Sequence, residues 1–66
     1  MTLQDALALF RRLGVHPEVL SRSEFSMAYF RLARRYHPDV NPAALELMAN
    51  INAARTAILR SYRHPS

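Results

Sequence analysis

Tyr36-His37-Pro38-Asp39-Val40-Asn41-Pro42 decides the architecture of this 66-residue chain. Pro38 pushes the residue before it out of the α region, so a helix arriving from the N-terminal side must stop there. Asn41 can cap a new helix, and Pro42 suits its first position. Two helices joined by so short a loop run antiparallel. The helix that arrives starts at Ser21-Arg22-Ser23-Glu24. That spacing predicts a capping box, in which the Ser21 side chain accepts from the Glu24 amide and Glu24 reaches back to the Ser21 amide. Its apolar face is Phe25, Ala28, Tyr29, Leu32 and Tyr36, with Ala33 beside it.

Beyond Pro42, the residues Ala44, Leu47, Met48, Ile51, Ala54, Ile58 and Tyr62 recur at helical spacing and mark one buried stripe. Leu45 and Leu59 lie to one side, and Arg55 is expected to run its stem along the core edge. Upstream, Leu3, Ala6, Leu7, Phe10 and Leu13 form the stripe of a first helix. Thr2 can cap its start, Asp5 suits the positive end of the helix dipole, and Arg11 and Arg12 suit the negative end. Gly14 is expected as its left-handed stop, and Val15 to Leu20 is a connector. The expected fold is all-α, one domain over residues 1–66, with helices at about 2–14, 21–36 and 42–62.

Composition agrees. Ala, Leu and Arg supply 28 of the 66 residues, and they are the strongest helix formers. With half the chain hydrophobic and only one Gly, disordered and linker-like compositions are excluded. The absence of Cys excludes disulfide scaffolds and thiolate zinc sites. Ordering this many residues costs on the order of 100 kcal/mol. One small core can offset that, but it leaves little room for a deep substrate cavity. No nucleophile, base and orienting group can be assembled from the Ser, Tyr and His residues, so no catalytic residues and no cofactor are expected. His16, His37 and His64 lack the spacing of a metal site. The apolar runs are too short to span a membrane. Asp5 stands where a secretion signal or transit peptide would be basic, so a cytoplasmic protein is expected.

The loop gains meaning from its neighbours. Ala28-Tyr29 and Arg31-Leu32-Ala33 precede His37-Pro38-Asp39, Leu13-Gly14-Val15 lies upstream, and Ile51-Asn52-Ala53-Ala54 lies downstream. Together these resemble the J-domain, the module that defines DnaJ-type co-chaperones, over roughly residues 3 to 60. The resemblance implies a protein that binds a DnaK-type chaperone ATPase near its interdomain linker and speeds its ATP hydrolysis. It implies His37, Pro38 and Asp39 as the critical partner-binding residues, with Tyr29, Arg31, Arg35 and Asn41 as helpers. Physical chemistry is compatible with that role. Pro38 stiffens the turn, and the Asp39 carboxylate suits an arginine fork on a partner. Asp39 can also cap the local turn, a role that coexists with binding.

The chain departs from the family pattern in several places. The second helix of J-domains usually presents many Lys and Arg to solvent, where this chain has Ser23, Ser26, Met27 and Phe30. Arg22, Arg31, Arg34 and Arg35 keep part of the charge. The loop after Asn41 is short, and Arg55 replaces an aromatic. The short fourth helix is expected to be absent or truncated, with Tyr62 filling part of its space. Met27 and Phe30 fall opposite the apolar face and are expected to be exposed. Phe30 is therefore also a candidate contact, with the chaperone, a second copy or a following domain. Two alternatives stay open: a degenerate J-like interaction domain without ATPase stimulation, and a small basic nucleic-acid binder suggested by the net charge of +4. Scattered charges argue against the second.

Overall fold

The structure, a computed structural model, describes residues 1–62. Helix α1 spans Leu3–Arg12, α2 Arg22–Tyr36 and α3 Leu45–Ser61, with short 3₁₀ turns at Pro17–Val19 and Pro42–Ala44. There is no strand among the described residues. The Thr2 side chain accepts from the Asp5 amide at 3.1 Å and opens α1 as expected. The helix stops at Arg12, two residues before the glycine. Gly14 has φ +86°; its N–H donates to the Arg11 carbonyl at 3.0 Å, and that of Val15 to the Phe10 carbonyl at 2.9 Å. This pair of reverse bonds is a Schellman cap. A Cβ added at Gly14 would meet nothing within 4 Å, so only the backbone conformation demands glycine there. Gly14→Ala should therefore cost about 1–2 kcal/mol, the penalty of a left-handed L-residue. Urea denaturation reads this as a lower midpoint, and an unchanged midpoint would refute it.

The connector is tied to α1 by an ion pair between Arg11 and Glu18. The Arg11 hydrogen bond, helped by a backbone bond, holds the Glu18 carboxyl below its ordinary value. Both halves of the capping box at α2 are present: the Glu24 amide donates to the Ser21 hydroxyl at 3.1 Å, and the Ser21 amide to the Glu24 carboxylate at 2.8 Å. The backbone bond, then the hydroxyl, lowers Glu24 as well. Both carboxylates thus favour folding above their unfolded values, and this contribution is lost as pH falls through the lowered folded ones.

Helix α3 opens differently from the expectation. Pro42–Ala44 form a 3₁₀ turn before the α-helix begins at Leu45, and the Asn41 side chain makes no capping bond. Instead the Asn41 carbonyl accepts from the Ala44 amide at 2.9 Å, the i→i+3 pattern of the tighter turn.

The core gathers Ala6, Leu9, Phe10, Phe25, Leu32, Met48, Ile51, Ala54 and Ile58. Helix α1 is rotated slightly from the expected face. Leu9 is buried, while Leu3 is 41% exposed. Leu3 sits in the first turn, beside a shallow groove formed with Leu7, Ile58 and Tyr62. Phe10 and Phe25 meet edge to face at 5.0 Å between ring centroids. Helices α2 and α3 run antiparallel: Phe25 faces Tyr62 at 6.2 Å, and Tyr29 reaches Asn52.

Tyr62 ends α3 and holds the connector. Its hydroxyl proton is shared between the carbonyls of Leu20 at 2.9 Å and Pro17 at 3.1 Å. Burial, with smaller contributions from Glu24 and Glu18, pushes the phenol above its ordinary value. The expected truncation of a fourth helix, and His64, concern positions outside the described residues.

Candidate functional site

The loop is built from the end of α2. Tyr36 is its last residue, and His37 turns out of the helix with φ −61° and ψ 135°, the extended backbone a following proline demands. The His37 carbonyl then accepts two amides, from Val40 at 2.9 Å and Asn41 at 2.8 Å. The Asp39 amide donates to His37 Nδ1 at 3.1 Å. Nδ1 is thus the acceptor nitrogen in this arrangement, which leaves the ring proton on Nε2. The side chains of His37 and Asp39 are 55% and 92% exposed, with Asp39 Oδ2 3.6 Å from His37 Nδ1. Pro38 is half-buried beside a groove with Leu45, Met48 and Asn52. The backbone is therefore tied down while the carboxylate stands in solvent. Asn41 is exposed and belongs to the same turn through its amide.

The remaining candidates divide into two groups. Arg31, Arg34 and Arg35 are exposed on α2, with the Arg35 guanidinium 5.5 Å from the Tyr36 ring. Phe30 is exposed too, its ring 5.4 Å from that of Tyr29. Tyr29 instead works inside the chain. Its hydroxyl donates to the Asn52 side-chain oxygen at 2.7 Å, and the Arg55 guanidinium lies 4.7 Å over its ring. Arg55 does run along the core edge, and its buried Nε has no hydrogen-bond partner. The ring contact accounts for a cation at a position the resemblance would fill with an aromatic.

Tyr29 and Asn52 thus pin α2 to α3 just behind the loop. Tyr29→Phe keeps the ring stack and deletes one hydrogen bond. It should cost about 1 kcal/mol, read as a lower melting temperature. An unchanged melt would show that the bond to Asn52 carries no load.

Sequence reasoning missed two residues. Asn52 was visible only as part of a motif, because its partner is 23 positions away. Val40, in the loop between two prolines, carries no periodicity that marks it in the sequence. It lines an open apolar notch with Phe30, Ala33, Arg34 and His37. Among the described residues, no three acidic or histidine side chains converge as a metal site would require. No helix among them is long and apolar enough to cross a membrane.

Comparison with known proteins agrees with this geometry. The DnaJ domain family model matches residues 8–64. A DnaJ-like protein of Mycoplasma pneumoniae is 41% identical over 54 residues, and one of Mycoplasma genitalium is 43% identical over 54 residues. Each alignment covers 82% of this chain but only 15% of the relative, so the chain spans a small part of either protein's length. No solved structure matches. The matched span takes in the second half of α1, all of α2 and α3 and the loop that joins them, and the chain belongs to the DnaJ-domain family, a family of co-chaperone modules.

Proposed function

We propose that this J-domain docks on a DnaK-type chaperone in the cytoplasm and accelerates its ATP hydrolysis through His37, Pro38 and Asp39. The observation that carries the reading is the loop itself. Three hydrogen bonds converge on His37, two on its carbonyl and one on its ring, while the Asp39 carboxylate remains in water. A group held this way loses little conformational freedom on binding. A solvated carboxylate on a stiff turn can form a bidentate pair with a partner arginine. Arg31, Arg34 and Arg35 on the adjoining helix surface supply attraction to an acidic partner, and salt screens it. The chain contributes contacts to the chaperone's reaction, and the chemistry stays with the ATPase.

The test is a titration of the chain into a DnaK-type chaperone turning over ATP in steady state. The hydrolysis rate should rise and saturate. A flat rate at concentrations where the two proteins demonstrably bind would contradict the proposal, and would leave an interaction domain without ATPase coupling.

A further inference from the structure

Phe30, Ala33, Arg34, His37 and Val40 surround the apolar notch where α2 meets the loop. Phe30 is 56% exposed and Val40 71%, and neither belongs to the core. Both walls are held in place before any partner arrives. The Phe30 ring rests against Tyr29, which is tied to Asn52, and the Val40 amide is bonded to the His37 carbonyl. An aromatic held at the edge of a preformed hollow, with charge around it, has the make-up of an interface anchor.

The charge identifies the occupant. Arg34 lines the notch, Arg31 and Arg35 are exposed elsewhere on α2, and none of the three forms an ion pair among the described residues. A second copy would bring the same net charge of +4 and set these arginines against their own kind.

We propose that the notch is a specificity-determining contact for the chaperone. It takes an apolar side chain that stands on an acidic surface, next to the group engaged by Asp39. The inference rests on the co-chaperone reading above. Acidic surfaces alone attract any cationic module, so charge discriminates poorly among chaperones. A notch that must be filled favours a surface carrying the matching apolar group, and it leaves a desolvated arginine rim against one that lacks it.

The experiment measures binding of a dye-labelled chain to an ATP-bound DnaK-type chaperone by fluorescence anisotropy. Phe30→Ser and Val40→Ser alter the notch. Val19→Ser removes an 80% exposed apolar residue from the connector and serves as control. Each notch variant should weaken binding by roughly fivefold to tenfold, and the control should bind like the parent. If the notch variants bind like the parent while His37→Gln still loses stimulation, the notch proposal falls and the co-chaperone reading stands. If the parent chain does not bind the chaperone, both fall. Self-association of the parent in sedimentation equilibrium, lost in Phe30→Ser, would assign the notch to a second copy and overturn the proposal. Should Phe30→Ser disturb the fold, Val40→Ser decides alone.

Discussion

Phe25→Ala should leave the chain largely unfolded at 37 °C. The Phe25 side chain is fully buried, meets Phe10 edge to face at 5.0 Å, and faces Tyr62 at 6.2 Å. It thus joins all three helices at one point. Truncating a buried Phe to Ala costs roughly 3–5 kcal/mol, through lost transfer energy and the cavity left behind. A domain of 66 residues has roughly 3–10 kcal/mol of stability in total. The substitution removes most of that. Far-ultraviolet circular dichroism should show loss of helix and of a cooperative melt. A drop of only a few degrees would mean that Phe25 is not the junction of this core.

The second large effect is functional and leaves the fold alone. His37→Gln should abolish ATPase stimulation while the melting temperature moves by no more than a few degrees. The two bonds to the His37 carbonyl do not depend on the side chain. The variant gives up one exposed bond, from the Asp39 amide to the imidazole, worth about 1 kcal/mol or less at a surface site. It replaces a ring with two rotatable bonds by a longer, looser side chain, so the presentation of Asp39 is no longer fixed. Retained stimulation would show that the imidazole does not set the loop's geometry. Collapse of the melt would show that His37 belongs to the folded framework rather than to a binding surface.

What could be read in the sequence was mostly local chemistry. The capping box at Ser21 and Glu24, the left-handed Gly14 and the stop at Pro38 each depend on residues within four positions, and each is present. Exposure of Met27 and Phe30 followed from helical phase alone. What escaped involved choices between near-equal options or distant partners. The apolar stripe of α1 is broader than the face that can be buried, and the packing of α3 decides that Leu9 goes in and Leu3 stays out. Asn41 and Pro42 pointed to a helix start, but not to the tighter turn that delays α3 to Leu45. The acceptors of Tyr62 lie 42 and 45 positions away, and no periodicity reveals them. The loop was legible as a motif. Its apolar wall was not, because Val40 meets Phe30 and Ala33 only once α2 and the turn are in place.

The central claim is that a tied loop with a free carboxylate triggers hydrolysis in a chaperone ATPase. Single-turnover hydrolysis of prebound ATP by a DnaK-type chaperone tests it most directly, with the parent chain and with Asp39→Asn added at equal, saturating concentrations. The substitution keeps the size and the backbone bonds of the loop and removes only the charge that a partner arginine would grip. The account predicts clear acceleration by the parent chain and none by Asp39→Asn. Equal acceleration by both, or by neither, would contradict it.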